Sequence, residues 1–125
     1  MQAKRILCVE DDEDTRTLLQ TMLRFSNLEA VVAPDADAAL RLMKQEQFSL
    51  YVLDGGLRCG KGLSLCERIR VSDSRTPIVI FSGHAYASDI RAGMLAGANA
   101  YLAKPDSSAL ITTIKRLLKA ASSGE

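Results

Sequence analysis

The sequence lacks the features that mark membrane, secreted and nucleic-acid-binding proteins. None of its apolar runs approaches the length of a membrane span. The first five residues lead straight into an apolar segment rather than into a secretion signal. Lysine and arginine total 16 against 15 aspartates and glutamates, and a net charge of +1 exerts no general attraction on nucleic acid or an anionic membrane. We therefore expect neither a membrane location nor direct nucleic-acid binding.

Cysteine is scarce, and its arrangement does not predict a metal site. Cys8, Cys59 and Cys66 form an odd set without the spacing of metal ligands. Cys8 lies in an apolar segment and Cys66 on the apolar side of a predicted helix, and both positions favour core packing. This use of cysteine is typical of a reducing compartment, so the chain is expected to be cytoplasmic.

Repeats and low-complexity linkers are also absent, and a regular alternation of segments remains. A chain of 125 residues suits one domain, predicted over residues 1–121 with a flexible tail at 122–125. Five short apolar segments alternate with helical patterns, of which the fourth carries Ile90, Met94 and Leu95. The alternation predicts an α/β fold, a doubly wound parallel sheet with helices on both faces. The predicted strands are 6–9, 29–33, 50–53, 78–81 and 99–103.

Polar side chains stand where four of these strands end. Asp54 follows a strand that is apolar throughout, as expected in the middle of a covered parallel sheet. Glu10 and Asp11 follow the first strand, Ser82 the fourth, and Lys104 the fifth. Each alone has an ordinary explanation, as part of a turn, a helix start or the surface. Those explanations do not account for their joint placement at the sheet edge where ligands of such folds bind.

The combination of these groups favours phosphoryl transfer with a hard metal ion. Crowded carboxylates repel one another, so such a site either raises a pKa or holds a cation. Oxygen ligands without histidine or cysteine favour Mg²⁺. A lysine and a hydroxyl add donors for an anion, and phosphoryl transfer requires charge on the phosphoryl oxygens to be neutralised.

Five ordered segments carry a family resemblance: residues 6–12 (ILCVEDD), 52–54 (VLD), Gly62, 77–83 (PIVIFSG) and 101–105 (YLAKP). With this order and spacing, the chain resembles the response-regulator receiver domain of two-component signalling along its whole length. The resemblance implies a flavodoxin-like (βα)5 sheet with strand order 2-1-3-4-5.

The resemblance also implies a role for each group around the phosphoacceptor. Asp54 would accept a phosphoryl group from a histidine kinase, a phosphotransfer protein or a small phosphodonor. Lys104 would hold one phosphoryl oxygen and Ser82 another. Tyr101 would change rotamer with Ser82 and alter the surface of the fourth helix, fifth strand and fifth helix for a downstream effector or output domain. Such a domain is a switch rather than an enzyme, because it phosphorylates and dephosphorylates only itself.

A Mg²⁺ site and two rate-tuning positions are implied by the same resemblance. Asp11 and Asp54 would bind Mg²⁺ directly with the backbone carbonyl of Gly56, and Glu10 would act through water. Gly56 and His84 stand where family members flank the path of the attacking water. Gly56 has no side chain to block that water, whereas the His84 imidazole is either an exposed loop group or able to orient water near neutral pH. We predict that His84 limits hydrolysis more than Gly56 does, with a short to intermediate phosphoryl lifetime.

Several positions depart from the family pattern. Gly55 replaces a usually apolar residue, Gly56 a larger side chain, and Arg58 a frequent proline, which predicts a looser loop. Asn99 and Ala100 precede Tyr101, where many winged-helix members have an acidic residue that contributes to dimer salt bridges. No strong dimer of that type is therefore expected.

Three other interpretations fit less well. A pseudo-receiver, which binds partners without being phosphorylated, would be expected to lack one of Asp11, Asp54, Ser82 and Lys104. A haloacid-dehalogenase-type phosphatase places its nucleophile in an Asp-x-Asp arrangement after the first strand, which residues 10–12 fit poorly, and 125 residues leave little room for a cap. A cofactor-binding flavodoxin would need a phosphate-cradling loop after that strand.

Overall fold

Strands and helices alternate along the chain in the computed structural model, which describes residues 3–56 and 61–123. The strands are β1 (Lys4–Val9), β2 (Leu28–Ala33), β3 (Leu50–Asp54), β4 (Ile78–Ser82) and β5 (Ala100–Ala103). The helices are α1 (Glu13–Phe25), α2 (Ala36–Gln45), α3 (Lys61–Ser72), α4 (Ala87–Leu95) and α5 (Ser107–Ser123). None of these described helices combines the length and apolar character needed to cross a membrane. Arg58, Cys59 and the last two residues of the predicted tail lie outside the described residues.

The strands form one parallel sheet in the order β2-β1-β3-β4-β5, which confirms the predicted α/β fold. Val9 lies opposite Leu53, Asp54 opposite Phe81, and Ser82 opposite Ala103. The register therefore brings the ends of neighbouring strands to the same edge of the sheet.

Helices cover both faces of the sheet, and this explains why its strands are apolar almost throughout. Side chains alternate along a strand, so Ile6 and Cys8 pack in one cluster with residues of α1 and α5. Leu7 and Val9 pack in a second cluster on the other face, with residues of α2 and α3. Cys66 is buried in that second cluster, as the sequence predicts.

Helix boundaries follow from the residues at their ends. Asp12 is the N-cap of α1, where its carboxylate accepts hydrogen bonds from the backbone N–H (2.9 Å) and hydroxyl (2.7 Å) of Thr15. Asp35 caps α2 by accepting from the N–H of Ala38 at 2.8 Å. Asn27 (φ 60°) and Gly97 (φ 114°) lie in the left-handed region just beyond α1 and α4, where such residues commonly end helices.

The apolar side chains that identify α4 in the sequence are largely exposed. Ile90, Met94 and Leu95 are 37%, 44% and 82% exposed, and Gly93 is the buried residue of the helix. Helix α4 thus lies against the sheet through small residues, which give no amphipathic signal, and leaves apolar side chains on its outer side.

Candidate functional site

Four of the predicted polar groups meet at the carboxyl edge of the sheet. Asp54 and Ser82 end β3 and β4, and Glu10 and Lys104 directly follow β1 and β5. Glu10, Asp54 and Ser82 are 2%, 6% and 0% exposed. Buried polar groups are costly unless they pair, so the contacts among them decide what the site can do.

Lys104 joins the two buried carboxylates. Its Nζ donates to Glu10 Oε1 at 2.7 Å and to Asp54 Oδ1 at 3.2 Å. The same Asp54 oxygen accepts a 2.9 Å hydrogen bond from the backbone N–H of Gly56. The peptide bond between Lys104 and Pro105 is cis. Residues 50 positions apart in sequence therefore form one charged pair.

An acidic cluster surrounds this lysine. Glu10, Asp11 and Asp54 each offer a carboxylate oxygen, and the three oxygens lie within 4.8 Å of one another. Three carboxylates against one lysine leave an excess of negative charge if all are ionised. A hard divalent ion with oxygen ligands fits this donor set, and Mg²⁺ is the best match. Asp11, the exposed member of the cluster, is open to such an ion from solvent.

Burial and neighbouring charges shift two pKa values in the site. Burial raises the pKa of Glu10 from its ordinary 4.5 to about 7, although hydrogen bonds from Lys104 and from the Asp12 N–H act in the opposite direction. For Lys104, burial lowers the pKa, but the hydrogen bond to Glu10 and the charges of Asp54 and Glu10 outweigh it and raise the pKa overall. The lysine therefore stays charged, and Glu10 changes charge near neutral pH.

The raised pKa of Glu10 predicts a stability that falls as pH rises. The pKa of Glu10 is higher in the folded protein than in the unfolded chain, so this group stabilises the fold fully below about pH 4.5. That contribution is lost as the pH rises from there to about 7. We expect the metal-free protein to lose on the order of 2–3 kcal/mol from this group between those limits. Urea unfolding at several pH values without divalent ions measures the loss.

The matched variant for that experiment is Glu10→Gln, which keeps the side-chain shape and removes the titration. Its free energy of unfolding should change much less over the same pH range. An equally steep fall in Glu10→Gln would assign the pH dependence to other groups.

Ser82 packs directly against the loop that follows Asp54. A Cβ atom added to Gly55 would lie 2.8 Å from Cβ and 2.9 Å from Oγ of Ser82, so the approach requires glycine. A Cβ on Gly62 would collide with the backbone carbonyl oxygen of Asp54. These two glycines therefore allow β3, β4 and the start of α3 to approach closely beside Asp54.

Tyr101 and His84 are joined through the backbone. The Tyr101 hydroxyl donates to the His84 carbonyl oxygen at 2.5 Å, and the His84 N–H donates to Ser82 Oγ at 3.0 Å. The His84 side chain is exposed, and no hydrogen bond or ion pair joins its imidazole to another described residue. The structure thus connects Ser82 with Tyr101 and leaves the imidazole in solvent.

Arg16 is a residue of the site that the sequence does not single out. Its Nη1 donates to the backbone carbonyl of Glu10 at 2.9 Å and so fixes the end of β1 beside the acidic cluster. In the sequence it resembles any exposed helix arginine. Its position one helical turn after the capping residue Asp12 is the sequence feature that could have identified it.

Relatives of known sequence resemble the chain over most of its length. The family model described as "Response regulator receiver domain" matches residues 6–115. Transcriptional regulatory protein PrrA of Mycobacterium bovis is 34% identical over 116 residues, which are 92% of this chain and 50% of PrrA. Transcriptional regulatory protein YrkP of Bacillus subtilis is 37% identical over 103 residues, which are 82% of this chain and 44% of YrkP. The chain spans about half the length of these curated relatives.

Solved structures agree with the sequence matches. A response regulator receiver domain protein from Methanospirillum hungatei superposes with a TM-score of 0.90 and 27% identity, covering 98% of this chain and 99% of that one. NtrX from Brucella abortus superposes with a TM-score of 0.88 and 30% identity, covering 96% of this chain and 28% of NtrX. The similarity therefore extends over nearly the whole described fold.

Proposed function

The chain belongs to the response regulator receiver domain family, and we propose that it is a phosphorylatable receiver whose phosphoacceptor is Asp54. One arrangement carries the proposal: Lys104 Nζ lies 3.2 Å from Asp54 Oδ1, and carboxylate oxygens of Glu10, Asp11 and Asp54 lie within 4.8 Å of one another. Receiver domains are signalling modules rather than metabolic enzymes, so the product of the reaction is an altered protein surface.

In the proposed reaction a carboxylate oxygen of Asp54 forms a bond to phosphorus. The bond from phosphorus to the donor breaks at the same time, and the donor, a kinase histidine or a small phosphodonor, leaves with the electron pair. Lys104 then donates to a phosphoryl oxygen instead of to the Asp54 carboxylate. Asp11, Asp54 and the carbonyl of Gly56 would hold Mg²⁺, with Glu10 acting through water. The ion supplies further positive charge beside the phosphoryl oxygens.

Ser82 and Tyr101 would convert phosphorylation into a surface change. Ser82 Oγ accepts from His84, and its own O–H has no acceptor among the described residues, so it is free to donate to a phosphoryl oxygen. Tyr101 would follow this movement and shift the population of the α4-β5-α5 surface, which includes the exposed Ile90 and Met94. A histidine kinase or phosphotransfer protein would supply the signal in the cytoplasm, and a downstream effector or output domain would receive it.

Intact mass after incubation with acetyl phosphate tests the proposal. With Mg²⁺ present, the chain should gain one phosphoryl mass, and EDTA should abolish the gain because the acidic cluster then lacks its counter-ion. Absence of any gain with Mg²⁺, in a folded sample, would leave a binding module that is not phosphorylated as the better description.

The lifetime of the phosphoryl group should depend on His84 more than on Gly56. Among the described residues, a Cβ on Gly56 would meet Asp54 Oδ1 alone, at an ordinary contact distance of 3.4 Å. Glycine itself has no side chain that could block the attacking water. We expect His84→Ala to slow phosphate loss several-fold, and a tenfold change would need only about 1.4 kcal/mol in the barrier. Rates for the parent, His84→Ala and Gly56→Asn over a pH series measure both contributions. Changes below about twofold in both variants, or roughly 0.4 kcal/mol, would exclude both positions as determinants.

Activation should not produce a tight dimer through the positions before Tyr101. Asn99 Oδ1 accepts from the backbone N–H of Ile78 at 2.8 Å and from Arg70 Nη2 at 2.9 Å, so this side chain is already engaged within its own domain. Ala100 offers no charge. Light scattering before and after beryllofluoride addition should give the same mass, and a dimer that forms on addition would contradict this prediction.

A further inference from the structure

Gly93 is a buried glycine in the interior of helix α4. Glycine is among the costliest residues in such a position, so a specific contact should account for it. A Cβ atom at Gly93 would lie 2.5 Å from Cδ2 and 2.9 Å from Cε2 of Tyr101, and 3.0 Å from Cδ1 of Ile80. The Tyr101 ring therefore occupies the space in which the side chain of any other residue would begin.

The hydroxyl end of the same ring is fixed by the backbone of His84. Tyr101 donates to the His84 carbonyl oxygen, and the His84 N–H donates to Ser82 Oγ. The backbone of His84 thus accepts a hydrogen bond from Tyr101 and donates one to Ser82. Ser82, His84, Tyr101 and Gly93 form a continuous series of contacts from the end of β4 to the middle of α4.

We propose that Gly93 is the positioning residue for Tyr101: it admits the ring against α4 in the orientation that lets the hydroxyl reach the His84 carbonyl. The backbone of His84 then couples the hydroxyl of Ser82 to the position of α4. This coupling rests on the proposed function in so far as Ser82 responds to a phosphoryl group. The seating of Tyr101 by Gly93 does not depend on phosphorylation.

Gly93 should affect the surface change at α4 but not the phosphorylation of the chain. The acidic cluster includes neither Gly93 nor Tyr101. Gly93→Ala should therefore displace the ring and break the bond to His84 while the gain of phosphoryl mass continues. His84→Ala keeps the backbone groups, so it should leave the ring in place.

NMR of isotope-labelled tyrosine rings tests the seating in the unphosphorylated protein. The chain has three tyrosines, and Tyr51→Phe and Tyr86→Phe variants assign the remaining signal to Tyr101. In Gly93→Ala the Tyr101 signal should move toward that of the exposed Tyr86, and in His84→Ala it should stay at the parent position. An unmoved Tyr101 signal in Gly93→Ala would overturn the proposal.

Addition of Mg²⁺ and acetyl phosphate to the parent and Gly93→Ala tests the coupling. Intact mass should show the same phosphoryl gain in both, whereas the Tyr101 signal should shift in the parent only. An equal shift in both would overturn the coupling. If the parent gains no phosphoryl mass, the proposed function fails, and the spectra of the unphosphorylated proteins still decide the role of Gly93.

Urea unfolding of single and double variants tests the role of Gly93 even if Gly93→Ala folds poorly. In the parent, Gly93→Ala should lower the urea midpoint because the ring is displaced. In a Tyr101→Ala background the same change should raise the midpoint, because alanine is the better helix former once the ring is gone. Recovery of folding in the double variant supports the proposal, and an equal decrease in both backgrounds contradicts it.

Discussion

Asp54→Asn should abolish the gain of phosphoryl mass from acetyl phosphate and Mg²⁺. The amide keeps the shape of the side chain and can still accept from the N–H of Gly56, so the loop should hold its conformation. It lacks the anionic oxygen that attacks phosphorus. We expect a labelling rate lower by more than about a hundredfold, equivalent to about 2.8 kcal/mol in the barrier.

Asp35→Asn is the matched control for this substitution. Asp35 caps α2 by accepting from the N–H of Ala38, and asparagine is an equally good N-cap, so the helix should keep its start. This variant should be labelled at the parent rate. Full labelling of Asp54→Asn at an unchanged rate would place the phosphoacceptor elsewhere.

The sheet and the location of the site follow from simple sequence patterns. Short apolar segments that alternate with helical patterns define the strands, and parallel strands must bring their carboxyl ends to one edge. Asp54 and Lys104 therefore meet although they lie 50 positions apart in sequence. Neither the exact register nor the side-chain rotamers are needed for that conclusion.

Contacts that depend on close approach could not be predicted in this way. Gly93 carries no apolar signal, and its importance appears only when the Tyr101 ring is seen against it. Arg70 is similar: its Nε donates to the carbonyl oxygen of Gly97 at 2.9 Å, and its Nη2 donates to Asn99 Oδ1. Such partners are distant in sequence and share no periodicity, so only the packed structure reveals them.

The exposed apolar side chains of α4 illustrate a second limit. Periodicity locates a helix but does not state which side faces the sheet when the inward residues are small. Met94 and Leu95 identify α4 in the sequence, yet both lie on its outer side. In a receiver domain that side belongs to the surface through which we propose that the signal leaves.

Lys104→Met should strongly destabilise the metal-free protein at pH 8. Methionine keeps much of the length of the lysine stem, but it leaves the buried carboxylates of Glu10 and Asp54 without their common cation. Removing one partner of a buried ion pair typically costs about 3–5 kcal/mol, and we expect a loss near the lower end, about 3 kcal/mol. Urea unfolding without divalent ions measures it.

The pH dependence of that loss identifies its cause. Lys104 holds the pKa of Glu10 down, so its removal should raise that pKa beyond about 7. At pH 5 Glu10 is then protonated in the folded state, and the destabilisation should be much smaller than at pH 8. Combining Lys104→Met with Glu10→Gln should recover most of the loss at pH 8.

The control Lys115→Met, at an exposed position on α5, should change the free energy of unfolding by less than about 0.5 kcal/mol. A loss that is equal at both pH values and persists in the double variant would mean that Lys104 stabilises the fold through packing rather than through charge.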